Sequence, residues 1–297
     1  MERDTPLRNS PWPRAVAEVP CVIACLTDRP FAARLKDAHR GHADVHFVET
    51  YAELQKAVRR ESRPISAIVI TPTDSVGTAA AAFLREFTRQ EPDIPITAYC
   101  QPGIAQSPEI RRLAAAGVHE FLFRGTDDAG FALRGALESA QRECTTDAVM
   151  RRVAPLLPVR LHTFVQHAVA HPSKVKRLRD VARGIGLSQR TISRYCEREG
   201  FPAPVVLLGW SRLFPVAYLL GTTRRTVESI ALELDWPSDT ALRNAIRNTV
   251  GCRASEVRER GGLDYAIRVF CDATAPALRR PAAVAPGMDP QQLPMAL

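Results

Sequence analysis

Between residues 20 and 125, short apolar runs alternate regularly with segments of helix length, and this alternation constrains the fold more than any other feature of the chain. The runs are Cys21 to Leu26, Val45 to Val48, Ser66 to Thr71, Ile94 to Tyr99 and Glu120 to Phe123, and four of these five carry Val or Ile at consecutive or near-consecutive positions, as strands buried on both faces do. Helices are expected in the gaps, over Phe31 to Arg40, Tyr51 to Glu61, Thr78 to Arg89, Pro108 to Ala116 and from Asp127 onward. Ser107 before Pro108 supplies an N-cap followed by proline in the first helical turn. Five βα units predict an α/β domain of flavodoxin-like, doubly wound type with five parallel strands over residues 20–126, preceded by a disordered tail over 1–19.

Strand signals vanish beyond Leu157, and helical periodicity takes over. Residues 127–157 are read as a last helix and connector, which either dimerises the chain or packs on its own sheet, with the Thr145-Thr146 step interrupting its apolar pattern. Residues 158–271 form an all-α domain, and the tail 272–297, with five prolines in 26 residues, is expected to be disordered.

Charge divides the chain in the same way. Residues 1–150 hold 18 Lys+Arg against 20 Asp+Glu, and residues 151–297 hold 22 against 12, so the whole excess of +8 comes from the C-terminal half. Such asymmetry is expected where one domain meets a polyanion and the other does not. The uncharged apolar stretches, Leu213 to Gly221 among them, are short of the ~20 residues that a bilayer crossing needs, so no membrane partner is expected. The first 15 residues mix acids, arginines and prolines where a signal peptide would be apolar, which predicts a cytoplasmic protein. Seven cysteines are scattered without a C-x-x-C pair and read as small buried hydrophobes. His162, His167 and His171 have no acidic or cysteine partner at ligand spacing, so neither a metal nor a cofactor is expected.

Doubly wound domains place their chemistry at the C-terminal ends of the strands. After the first run the chain reads Thr27-Asp28-Arg29-Pro30, without the G-x-G-x-x-G of a dinucleotide site, and it has no P-loop. Over roughly residues 20–145 the order and size resemble the receiver domain of bacterial response regulators. The resemblance implies paired acids after the first strand, a phosphoacceptor Asp ending the third, Ser or Thr ending the fourth and Lys ending the fifth. This chain has a single Asp28, then Ile70-Thr71-Pro72, then Ala98, then Arg124, while Asp74 lies beyond the strand end. Metal-assisted phosphoryl transfer needs clustered carboxylates and a nucleophilic carboxylate beside them. The domain therefore reads as a degenerate receiver, not phosphorylated and not an enzyme. The competing readings are a phosphorylated response regulator and a nucleotide-binding enzyme tethered to DNA by its basic half.

In the C-terminal half, residues 178–197 read as helix, tight turn, helix. Ala182 is small where the helices cross, Gly186 can take positive φ in the turn, and Ile192 is an apolar anchor on the inner face. Ser188 caps the second helix and leaves Gln189, Arg190, Ser193 and Arg194 outward. The pattern recurs 49 residues later, where Ile230-Ala231, Leu234 and Trp236 match Val181-Ala182, Ile185 and Leu187. There the second helix starts near Ser238, exposes Asp239, Thr240, Arg243, Asn244 and Arg247, and turns Leu242 and Ile246 inward, with Asp235 in place of the turn glycine. An apolar segment from Ala203 to Leu220 joins the units, about 27 Å long at ~1.5 Å per residue, with Pro215 expected to kink it. That span suits two helices entering successive major grooves about 34 Å apart. Trp210 and Trp236 read as core residues.

Residues 160–262 resemble the DNA-binding domain of AraC-type transcription regulators. The residues carrying this are Val181-Ala182, Gly186-Leu187-Ser188, Ser193-Arg194, Gly200-Phe201-Pro202, Arg212-Leu213 with Ala217 and Leu219-Leu220, Thr226 to Ala231, and Gly251 followed by Ser255-Glu256-Val257-Arg258. Asp235-Trp236, Leu242, Asn244 and Ala254 depart from the family pattern. The resemblance implies two helix-turn-helix units joined by a long helix, sequence-specific binding to double-stranded DNA, and transcriptional activation through RNA polymerase. Arg190 and Arg194, like Arg243 and Arg247, are one turn apart and suited to guanine, whereas Gln189 and Asn244 suit adenine and Thr240 a thymine methyl or the backbone. Lys174, Lys176, Arg177, Arg224 and Arg225 stand before the two units, where phosphate anchoring is expected.

Overall fold

The computed structural model describes residues 20–278 apart from 64, 105 and 106, so the predicted tail 1–19 and all of the second tail beyond 278 lie outside the described residues. The chain divides into two units, the first ending at Cys144 and also taking in Thr223–Thr226, the second comprising the rest.

In the first unit, strands β1 (Cys21–Cys25), β2 (Asp44–Val48), β3 (Ile65–Ile70), β4 (Ile96–Cys100) and β5 (Glu120–Phe123) form one parallel sheet in the order β2-β1-β3-β4-β5. Helices α1 (Arg29–Ala38), α2 (Tyr51–Arg60), α3 (Ala80–Gln90), α4 (Pro108–Ala115) and the start of α5 (Gly130–Val153) follow the strands in turn. Alternate strand residues serve opposite faces. Ile23, Ile68, Ile70 and Ala98 pack with Tyr51, Leu54, Leu84 and Phe87, whereas Val22, Val69, Tyr99 and Leu122 pack with Phe31, Leu35, Leu133 and Leu137. Phe31 stacks on Tyr99 with ring centroids 3.5 Å apart. Both faces of the three central strands are covered, which is why their sequence is mostly apolar rather than alternating, with Ser66 and Thr97 the polar exceptions. The expected receiver-like α/β fold with five parallel strands is thus present, and its strand order is 2-1-3-4-5. Thr50 and Ser107 cap α2 and α4 through side-chain oxygens.

The second unit is all helical: α6 (Val159–Ala170), α7 (Leu178–Gly184), α8 (Gln189–Glu199), α9 (Pro204–Thr222), α10 (Val227–Glu233), α11 (Asp239–Val250), α12 (Ala254–Glu259) and α13 (Leu263–Leu278). Its centre is α9, which packs against α6, α7, α8, α10, α11, α12 and α13. By length and composition α9 could cross a bilayer, yet 67% of its 18-residue apolar window is buried within the protein. Trp210 and Phe214 close on Phe270 of α13 at 5.5 and 5.4 Å between ring centroids. Pro215 lies inside this helix, which runs through it without a break and therefore forgoes one backbone hydrogen bond.

Three expectations need correction. The Thr145-Thr146 step does not interrupt α5, because both threonines are buried and the helix runs continuously for 24 residues. Its Leu133 and Leu137 pack on the sheet, while Ala148, Val149 and Val153 belong to the helical core. The boundary at residue 271 falls inside α13, which continues to Leu278 because Phe270 and Thr274 are still buried. Of the seven cysteines, Cys252 and Cys271 are only partly buried.

Candidate nucleic-acid interface

Two helix–turn–helix arrangements stand side by side in the sequence of the second unit, and their turns are built by the same backbone hydrogen bonds. In the first, Ile185 N–H donates to Val181 O, Gly186 N–H to Arg183 O and Leu187 N–H to Ala182 O, at 3.0, 3.3 and 2.9 Å. In the second, Leu234 donates to Ile230 O, Asp235 to Leu232 O and Trp236 to Ala231 O, at 3.0, 3.2 and 2.8 Å. Both turns need the left-handed backbone at the same step: Gly186 takes it at φ +68° and Asp235 at φ +50°, the latter being the only non-glycine with positive φ among the described residues. The equivalence shifts by one residue after the turn. Ser188 and Ser238 cap α8 and α11, accepting from Thr191 N–H and Ala241 N–H at 3.0 Å each, so the offset grows from 49 to 50 and Pro237 is the additional residue.

The inner faces of α8 and α11 are apolar, with Ile192 and Cys196 on one and Leu242, Ile246 and Val250 on the other all buried. This fixes their outer faces. Gln189, Arg190 and Arg194 are exposed on α8 with Ser193 half-buried, and Thr240, Arg243, Asn244 and Arg247 are exposed on α11 with Asp239 half-buried. Asp239 turns back on its own helix, accepting from Thr240 N–H at 2.7 Å and from Arg243 Nε at 3.3 Å. Those bonds, Arg243 foremost, hold its carboxyl below the usual carboxylate range. Asp239 therefore aims Arg243 rather than facing outward alone.

The expected phosphate anchors fare unequally. Lys174 and Arg177 are exposed before α7, whose first turn is closed by Asp180 accepting from the backbone N–H groups of Lys176 and Arg177. Lys176 is drawn to Asp235 at 3.1 Å, which ties the entry of the first helix–turn–helix to the turn of the second. Arg224 is exposed, whereas Arg225 is half-buried and donates to Gln141 Oε1 at 3.1 Å. Trp210 is buried as expected. Trp236 is half-buried, and Arg212 lies over its ring with the guanidinium carbon 4.3 Å from the centroid. Burial holds the Arg212 pKa below its usual value, opposed by Asp235.

Sequence reasoning passed over one feature. Arg253 and Arg258, with Ser255 between them, line a cleft of about 220 Å³ together with Arg243 and Arg247. The signal was present in the sequence as two arginines five residues apart around α12, but only the packing of α12 beside α11 brings them to the other pair.

At the C-terminal end of the sheet in the first unit, the acids have structural work. Asp28 caps α1 by accepting from Phe31 N–H at 3.0 Å and faces Arg124 at 3.4 Å. Asp128 accepts from Arg34 and from Tyr99 Oη at 3.0 and 3.1 Å, and Asp127 accepts from Phe123 N–H at 2.7 Å. Asp74 accepts from the backbone N–H groups of Tyr51, Val76 and Thr78. Burial raises the Asp74 pKa and these bonds more than reverse it. Thr71 follows β3, and its hydroxyl donates to Thr73 O at 2.8 Å. Among the described residues no group of three His, Cys, Asp or Glu converges as a metal site.

No family model matches the chain, and no curated protein sequence does. Among solved structures, it is similar to the N-terminal receiver domain of a two-component response regulator from Bacteroides fragilis, at 15% identity and a TM-score of 0.36 over 41% of this chain and 98% of that one. A receiver domain protein from Clostridium thermocellum is similar at 13% and 0.33, over 40% and 94%. Full-length FixJ from B. japonicum is similar at 15% and 0.32, over 79% and 98%. Likenesses of this size carry no functional inference, and the receiver-like character of the first unit stands on its own strand order. The AraC resemblance read from the sequence finds no support in these comparisons, which leave the helical unit without a family.

Proposed function

We propose that the chain is a cytoplasmic, sequence-specific DNA-binding transcription regulator of AraC type, not an enzyme, whose receiver-like unit takes an input other than aspartyl phosphorylation. One observation carries the reading: a duplicated helix–turn–helix, bond for bond alike at its turns, in which each second helix is capped by serine and presents exposed arginines one turn apart. Helices so anchored on one face and basic on the other are suited to the major groove, where arginine bonds guanine bidentately. The joining helix α9 spans 19 residues, about 29 Å at ~1.5 Å per residue, a length compatible with successive grooves. The asymmetric charge supplies the phosphate attraction, and RNA polymerase is the further partner that the AraC resemblance implies. An input without phosphorylation is favoured by Thr71 after β3 and by Asp28, which is already engaged by the α1 backbone and Arg124.

The test is genomic-fragment selection with the full chain and with Arg190→Ala and Arg194→Ala, at several salt concentrations. A defined asymmetric motif that loses discrimination at particular positions in these variants is the expected result. Enrichment without any motif would overturn sequence specificity. Incubation with acetyl phosphate and Mg²⁺ is expected to leave no hydroxylamine-labile adduct; finding one would restore the phosphorylated reading.

A further inference from the structure

The arginine-lined cleft beside α11 calls for an occupant. Arg243 and Arg247 come from α11, Arg253 immediately precedes α12, and Arg258 lies within α12, so three short segments bring four arginines to the lining of about 220 Å³, with no acid among the lining residues. That volume is smaller than sites for drug-sized ligands and equals roughly seven waters at ~30 Å³ each. It suits a compact anion.

Three of these arginines are also available. Arg243 uses only Nε on Asp239, and neither Arg247 nor Arg253 has an acidic partner among the described residues. Arg258 is held in place by donating Nε to Leu220 O at 3.0 Å, and burial holds its pKa below the usual value, a cost that an anion would offset. Ser255 adds a hydroxyl that can donate. Guanidinium forks match tetrahedral oxyanions bidentately, and several converging on one centre select phosphate over monovalent halide.

We infer that this cleft is a phosphate-binding site, in which Arg243, Arg247, Arg253 and Arg258 surround one phosphate group and Ser255 donates to it. Where that group is a phosphodiester of DNA, the inference rests on the nucleic-acid reading, and it reassigns Arg243 and Arg247 from base edges to backbone. Where the group belongs to a free phosphorylated compound, the site is independent of that reading.

The experiment uses the full chain, with Arg253→Gln and Ser255→Ala as variants; both side chains are exposed, and circular dichroism checks that the variants fold. Melting is followed against inorganic phosphate and pyrophosphate, with chloride at matched ionic strength. Separately, the affinity for a random-sequence duplex is measured across salt concentrations. A free phosphate ligand predicts a saturable rise in Tm with pyrophosphate that chloride does not reproduce and Arg253→Gln abolishes, with the DNA salt slope unchanged. A backbone phosphate predicts that Arg253→Gln lowers the slope of log K against log[salt] by about one, and that pyrophosphate competes with the duplex. The inference is overturned if pyrophosphate acts no differently from chloride and the variants leave the salt slope unchanged. Failure of the duplex to bind at all, with the pyrophosphate response intact, would sink the nucleic-acid reading and leave the cleft standing.

Discussion

Single side chains decide the two turns. Asp235 holds φ +50° where the first turn has a glycine, and it also receives Lys176. Asp235→Gly removes backbone strain but loses an exposed ion pair, so a net stabilisation of about 0.5 kcal/mol is expected, whereas Asp235→Val should cost about 1–2 kcal/mol. Urea denaturation of both variants checks the pair. Gly184 ends α7 against α6, and a Cβ there would stand 2.0 Å from His167 Nε2. Gly184→Ala should therefore destabilise by about 1 kcal/mol despite alanine's better helix propensity, and the sign should reverse when His167→Ala is made first. Burial also lowers the pKa of His39 and of His167, the latter with help from His171. The unfolded chain then takes up protons below about pH 6.5 while the folded chain does not, so stability falls as the pH drops from about 6.5 towards the folded pKa values. Replacing His39 by Gln should flatten that part of a stability-against-pH curve.

Helices and strands were legible where a period repeated. The three central strands were visible because strands covered on both faces are rich in Val and Ile, the edge strands β2 and β5 by their place in the alternation with helices, whereas the order in which the five lie came only from the structure. Caps announced themselves too: Ser188 and Ser238 stand where the two exposed helices begin. Ser188→Ala and Ser238→Ala should each cost about 1 kcal/mol, and under the proposed function the first should weaken DNA binding at one half of a bipartite site and the second at the other. Footprinting of the two variants distinguishes these halves. What stayed hidden depended on packing between segments. Thr145 and Thr146 looked like a break, because threonine disfavours helices in isolation, yet buried on α5 they are carried by their neighbours. That Arg253 and Arg258 join Arg243 and Arg247 at one cleft was unreadable for the same reason, since nothing local to Arg253 or Arg258 reveals that α12 lies beside α11.

For the whole molecule, the cores are separate. The sheet clusters draw only on residues up to Leu137, and the helical cluster draws on residues from Ala148 onward. Calorimetry of the full chain should resolve two transitions, with Leu84→Ala lowering one and Phe214→Ala the other, each by about 3–5 kcal/mol in the stability of its own unit. A single transition shifted by both substitutions would show that the cores melt together. Within the helical unit no such division exists, because α9 is the core of both helix–turn–helix arrangements at once. Neither copy of the duplication owns a hydrophobic centre. A ribosome that has delivered residues up to Thr222 has therefore made a 19-residue apolar rod with nothing yet available from α10 to α13 to cover it. Until those helices emerge, the face of that segment left open by α6, α7 and α8 presents itself to chaperones and membrane-targeting factors much as a nascent membrane anchor would, and any message cut short there yields a sticky fragment rather than half a working unit.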